Sequence, residues 1–175
     1  RPFCEEDRRE MVGILWDQEI KKTYMLPDFA NREDALPLFL RLMEMSRDAE
    51  SYVRAIATED GLAGFLNRVE IQGKTIELGY VIHPDFHGRG YMTKALQLAM
   101  EELFALGYEE ILTGAFSTNL PSIRVMEKCA MTKLDKTDKI PYRGVTHTCV
   151  YYSRRRSEMV FQCCFCGKST RPRNS

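Results

Sequence analysis

HPDFHGRGYMTKAL, residues 83–96, sits between two runs of different period. IELGYVI (76–82) leads in with the apolar, β-branched and aromatic character of a strand. TKALQLAMEELFAL (93–106) leads out with apolar residues at helical spacing. Between them stand Gly88 and Gly90. A helix start leaves backbone N–H groups without partners, and the helix dipole places partial positive charge there. Glycines in the preceding turn let a ligand approach the backbone closely, so the stretch reads as an anion site suited to a phosphate or pyrophosphate. An ordinary tight strand-to-helix turn is the alternative. The third glycine of a dinucleotide-binding fingerprint would fall at Thr93, and no Gly-Lys-Ser/Thr follows, so neither a Rossmann loop nor a P-loop is expected.

Working outward, residues 5–20 start acidic and carry Met11, Val12, Leu15 and Trp16 at helical spacing, which predicts a helix. Pro27 interrupts the chain. Asn31 is read as the N-cap of a second helix reaching about Arg47, with Pro37 in its early part. SYVRAIAT (51–58), LAGFLNRVEI (62–71) and TIELGYVIH (75–83), separated by the turns EDG and QGK, predict an antiparallel meander. The helix from about 90 to 106 places Met92, Leu96, Ala99 and Leu103 on one core stripe, with Gly107 at its end. EEILTGAF (109–116) is a further strand. NLPSIRVMEKC (119–129) is a helix capped by Asn119 or Ser122. MTKLDKT (131–137) and THTCVYY (146–152) close as two strands joined by a turn through Pro141 and Gly144. The expected class is α/β of the α+β kind, a mixed, mostly antiparallel sheet flanked by helices.

The 175 residues suit one domain, with 44% apolar and 29% charged residues. No apolar run is long enough for a membrane span, and no secretory pattern opens the chain. It begins Arg-Pro rather than with Met and is read as a fragment or trimmed chain lacking a short leading strand. Six cysteines do not form a disulfide framework for a domain of this size, which implies a reducing, cytoplasmic compartment. The zero net charge is uneven. From Arg154 onward six basic residues face one acid, Glu158, giving +5, while the remaining 19 basic and 24 acidic residues give −5. The expected division is therefore a domain over 1–153 and a basic tail over 154–175.

IELGYVIHPDFHGRGYMTKAL followed by NLPSIRVMEKCAM resembles the GNAT superfamily of acetyl-CoA-dependent N-acetyltransferases. It is most similar to the branch that includes the RimJ/RimL ribosomal-protein acetyltransferases and some aminoglycoside acetyltransferases. The resemblance covers roughly residues 1–152. It implies a sheet whose fourth strand parts from its fifth, leaving a V-shaped slot for the pantetheine arm. It further implies that backbone groups of Val81, Ile82 and His83 pair with that arm. The N–H groups of His87, Gly88, Arg89, Gly90, Tyr91 and Met92 would cradle the pyrophosphate. Asn119 would contact the cofactor, and Ser122 would lie near the thioester sulfur. Two positions depart from the pattern: Asp85 opens the loop motif, and Ala130 replaces the glycine that usually ends the second motif's helix.

Acetyl transfer needs a neutral amine, yet an alkylamine has a pKa of about 10. A base must take its proton, a donor must meet the developing negative charge, and the leaving thiolate benefits from a proton. Glu77 is the candidate base, an acid in a central strand on the same face as Gly79 and Val81; a solvent-facing position or a salt bridge to Arg68 or Lys74 is the alternative. Ser122 is the candidate acid or oxyanion donor, a role compatible with helix capping. His147, Tyr142 and Tyr151 are read as packing before substrate contact, and Arg124 and Lys128 as a solvated face or a 3′-phosphate contact. The expected partners are acetyl-CoA and an amine acceptor, either a protein N-terminus or a small amine. A homodimer is left open, and neither a membrane nor a nucleic acid is expected. Cys163, Cys164 and Cys166 in the tail supply too few ligands for a tetrahedral zinc, so no metal is expected. The competing function is a non-catalytic acyl-CoA sensor.

Overall fold

The three predicted meander strands form β1 (Val53–Thr58), β2 (Gly61–Gln72) and β3 (Thr75–Ile82), paired antiparallel in that order. The computed structural model describes residues 1–48 and 50–158. Side-chain alternation along β3 sends Ile76 and Leu78 to one face and Val81 to the other. The first face packs on α3 (Tyr91–Ala105), whose Met92, Leu96, Ala99 and Leu103 are all buried, as the stripe predicts. The second packs on α1 (Arg8–Trp16) and α2 (Leu36–Met45) through Leu15 and Phe39. The sheet thus separates two apolar cores.

Helix α3 is a crossover, so the next strand, β4 (Glu110–Phe116), returns parallel to β3. Residues 75–78 pair with 110–113, and there the pairing ends, although both strands continue. After α4 (Leu120–Lys128), β5 (Thr132–Tyr142) and β6 (Val145–Arg155) form a hairpin, with β6 antiparallel to β4. The strand order is β1-β2-β3-β4-β6-β5. Counted from Arg1, the splay falls between the third and fourth strands, beyond the pair Leu78–Thr113.

The expected helix over 5–20 is divided. A 3-10 turn (Glu5–Asp7) precedes α1, and Asp17 then turns extended, with ψ of 127°. Its carboxylate accepts from the Ile20 N–H at 2.9 Å, so Asp17 ends one helix and starts the 3-10 turn Ile20–Lys22. Asn31 caps as expected, but the first turn, Arg32–Ala35, is 3-10, and Pro37 lies at the start of α2, where no N–H is required. β6 runs through Arg155 and the Arg156 N–H donates to the Glu109 carbonyl, so the first basic residues assigned to the tail belong to the sheet, paired with β4. The cysteines at 163, 164 and 166 lie outside the described residues.

Helix α4 ends in a Schellman motif. The Met131 N–H donates to the Met126 carbonyl and the Ala130 N–H to that of Glu127, at 3.1 and 2.9 Å. The left-handed position is Ala130, with φ of +53°, where α3 uses Gly107. Ala130→Gly should therefore stabilise the fold by about 1 kcal/mol, read as a rise in melting temperature of about 2–4 °C; an unchanged or lower value would contradict strain at this helix end.

Candidate active site

The loop before α3 ends at Gly90, the N-cap, with φ of +79°, and Gly88 has φ of +75°. Neither conformation suits an L side chain, and a Cβ at either position would meet no atom within 4 Å, so the space above the loop is open. The N–H groups of residues 88–92 have no partner among the described residues. That of His87 does: it donates to the Pro84 carbonyl at 3.0 Å, which removes it from the predicted cradle. The Arg89 guanidinium turns away to Asp60 at 3.1 Å and lies over the Phe86 ring. What remains is a row of donors at a helix N-terminus, a site for an anion.

From this loop a cleft of about 710 Å³ runs between the diverging halves of β3 and β4. Tyr80, Val81 and Ile82 form one wall, Gly114 and Ala115 the other. Asn119, Ser122, Arg124, Val125 and Lys128 of α4 and its cap line one side, and Glu19, Thr23 and Tyr24 lie at the other end. Arg124 and Lys128, read from the sequence as a solvated face before a 3′-phosphate contact, are exposed and line the cleft. The His83 N–H is committed to the Ala63 carbonyl at 2.8 Å. Backbone groups alternate between the edges of a strand, so His83 and Val81 face β2, while Ile82 and Tyr80 present theirs to the cleft. The Ile82 carbonyl lies 3.2 Å from His87 Nε2.

Asn119 caps α4, its Oδ1 accepting from the Ser122 N–H at 3.2 Å, so the cap is Asn119 and the Ser122 hydroxyl is left for other work. Ser122 Oγ is 2.8 Å from the Tyr80 hydroxyl, which also reaches the Ser122 carbonyl at 3.1 Å. Burial pushes the Tyr80 phenol up, keeping it a neutral hydrogen-bond group. Behind it Thr113 is fully buried, its hydroxyl close to that of Tyr80 but without a hydrogen bond of normal geometry among the described residues. Strand alternation puts Tyr80 opposite Glu77 and Gly79, so the sequence contained the signal for its face but not for its partner.

Glu77 is half-buried and does not line the cleft. Neither alternative salt bridge forms: Lys74 pairs with Glu109, and Arg68 donates to the Glu50 carbonyl. Burial raises the Glu77 pKa; Lys136 lowers it, and Glu70 and Asp138 raise it further. Gly79, two residues on and on the same face, is the first β3 residue beyond the last β3–β4 pair. A Cβ there would stand 3.1 Å from the Tyr24 hydroxyl and 3.2 Å from Asn67 Oδ1, two groups that bond to each other. His147 stacks on Phe116 with centroids 4.2 Å apart. Tyr142 donates to backbone carbonyls and Tyr151 packs under Lys136, so all three of these residues hold structure together. Among the described residues no cluster of His, Cys, Asp or Glu is arranged to hold a metal, and no helix is long and apolar enough to cross a membrane.

A family model described as an acetyltransferase (GNAT) domain matches residues 1–132. The N-acetyltransferase YnaD of Bacillus subtilis (strain 168), itself described as uncharacterized, is 31% identical over 135 residues, spanning 76% of this chain and 78% of that protein. A RimL ribosomal L7/L12 α-N-protein acetyltransferase in complex with coenzyme A superposes with a TM-score of 0.78 at 18% identity, covering 89% of this chain and 92% of that one. A spermidine N-acetyltransferase from Vibrio cholerae in complex with coenzyme A and spermine gives 0.76 at 14%, covering 91% and 96%.

Because the folded state raises the pKa of Glu77, it holds that proton more tightly than the unfolded chain does. The group's contribution to stability is full below the ordinary carboxylate range and is lost as pH rises through the raised value. Glu77→Gln should match the wild type near pH 4 and become the more stable of the two by pH 7.5. Urea denaturation at the two pH values reads this, and a difference that does not vary with pH would show that the carboxyl is not destabilised by burial.

Proposed function

The chain belongs to the GNAT acetyltransferase family, and on that premise we propose that it moves the acetyl group of acetyl-CoA to a primary amine by direct attack, without an acyl-enzyme. The observation that carries this is the alignment of three features along one cleft: the open donor row of residues 88–92, the fork between β3 and β4, and the Ser122–Tyr80 pair beside the fork.

Acetyl-CoA supplies the activated thioester. The N–H groups of Gly88, Arg89, Gly90, Tyr91 and Met92 hold its pyrophosphate, and Arg124 and Lys128 stand on the same cleft for the remaining phosphate. The cleft-facing backbone of Ile82 and Tyr80 pairs with the pantetheine arm as an added strand would, a role in which Val81 and His83 are replaced. Asn119 keeps α4 in place against that arm. Ser122 Oγ, held by Tyr80, donates a hydrogen bond to the departing sulfur, which takes its proton from solvent as free thiol. Glu77, on the opposite face and basic through burial, receives the amine proton by way of solvent. Bringing amine and thioester together in the fork supplies much of the rate.

The acceptor is a protein N-terminus or a small amine. Ser122 at its place in α4 supports the RimJ/RimL-like branch, and the excess of acids outside the last residues favours a cationic acceptor of either kind. The free thiols of Cys4, Cys129 and Cys149 support a reducing, cytoplasmic setting. A non-catalytic sensor would need the acceptor end shut, whereas the cleft reaches Glu19, Thr23 and Tyr24, which favours turnover.

Calorimetric titration of acetyl-CoA should show one site that Gly90→Val weakens by about tenfold or more in a folded sample, since the side chain forces the N-cap out of its conformation. Binding unaffected by the substitution would remove the loop from the cofactor site. In steady-state assays Ser122→Ala should lower kcat by about 10²-fold without changing acetyl-CoA affinity, and Glu77→Gln should abolish the acid limb of the kcat/KM profile, because the base works only above its own pKa. Retained activity in either variant removes that residue from its role.

A further inference from the structure

Gly79 and Tyr80 are neighbours whose side-chain directions point to opposite faces of the sheet. On the α4 face Tyr80 meets Ser122. On the α1–α2 face the bare Gly79 is covered by Tyr24 and Asn67. A thioester held in the fork therefore has its leaving-group donor on one side of the sheet, and an amine must approach from the other, where Tyr24 lines the cleft.

The hydrogen bonding of Tyr24 restricts what that group can do. Its hydroxyl donates to Asn67 Oδ1, and the Asn67 amide is oriented by Nδ2 donating to the Arg68 carbonyl at 3.0 Å. A phenol has one hydrogen, so the Tyr24 oxygen offers only lone pairs to anything else. Burial pushes its pKa up and keeps it uncharged. The ring is fixed edge-on to Phe65, with centroids 5.7 Å apart and planes at 85°. Tyr142 anchors the backbone by donating to the carbonyls of Lys21 and Tyr24 at 2.8 and 3.2 Å.

We propose that Tyr24 is the acceptor-binding residue: its oxygen takes a hydrogen bond from the incoming primary amine and aims the nitrogen at the fork beside Gly79. The inference rests on the acetyl-transfer reading. It assigns the substrate's place to an N–H donor and disfavours an acceptor whose reacting end offers only lone pairs.

The test uses the full chain, wild type and Tyr24→Phe, which keeps the ring on Phe65 and loses only the oxygen. The amine probes are spermidine, a peptide with a free N-terminal alanine and a lysyl peptide blocked at its N-terminus. The expected result is at least a tenfold rise in KM for the accepted amine, with kcat changed less, and with acetyl-CoA affinity by calorimetry unchanged within twofold. Asn67→Ala, which frees the hydroxyl to rotate, should give a smaller rise in the same constant. Equal amine KM in wild type and Tyr24→Phe overturns the assignment, as does a loss of acetyl-CoA affinity as large as the loss for amine. Wild type that binds acetyl-CoA yet acetylates none of the three probes overturns the acetyl-transfer reading and Tyr24's role together. Wild type that turns over while Tyr24→Phe equals it overturns Tyr24 alone.

Discussion

Four residue pairs join β3 to β4, and the molecule depends on their stopping where they do. Two parallel strands that stayed paired to their ends would leave a closed sheet and no cleft. Gly79 and Gly114 follow the last pair, so cross-strand side-chain contact, the unit of sheet stabilisation, disappears from one face at that point. On the other face Tyr80 turns to Ser122, which brings α4 against the diverging strand in place of β4. A Cβ at Gly114 would stand 2.9 Å from the Tyr151 ring, so β6 also occupies the room that a side chain there would need. The fork is thus held open by contacts that replace pairing.

That opening gives the two faces of one sheet different chemistry. The α3–α4 face has hydroxyls held in a largely apolar core: Ser122, Tyr80 and Thr113. The α1–α2 face has a neutral oxygen acceptor over Gly79 and, further along β3, a carboxyl whose burial makes it more basic. Separating donor and acceptor groups by the thickness of a sheet keeps them from bonding to one another. A carboxylate on the same face as Ser122 would take its hydrogen and displace Tyr80 as its partner.

Much of this was legible in the residues. Period alone located the meander and the buried stripe of α3, because those elements are decided by which side faces a core. Asn119 and Asn31 were legible as caps because capping is local. The division of the first helix was not, since it turns on Asp17 bonding to the Ile20 N–H, and a carboxylate in that position is equally at home on a helix surface. The commitments of the His83 and His87 N–H groups depend on strand parity and on a short turn, which the motif does not encode. The meeting of Tyr24 with Asn67 across 43 residues had no sequence signal. It arises where β2 is irregular between Arg68 and Glu70, next to the point at which Asn67 faces Gly79.

The bonds from Tyr142 to Lys21 and Tyr24 span 121 and 118 residues. On a ribosome the chain emerges from its N-terminus, so β1 to β4 and both helices of the fork are outside before the final hairpin exists. A nascent chain at that stage has the glycine loop and the four β3–β4 pairs, and Tyr24 can already meet Asn67 and Phe65 of β2, but the two bonds from Tyr142 are missing. The backbone at Lys21 and Tyr24 therefore gains its last anchor only when the final hairpin is made.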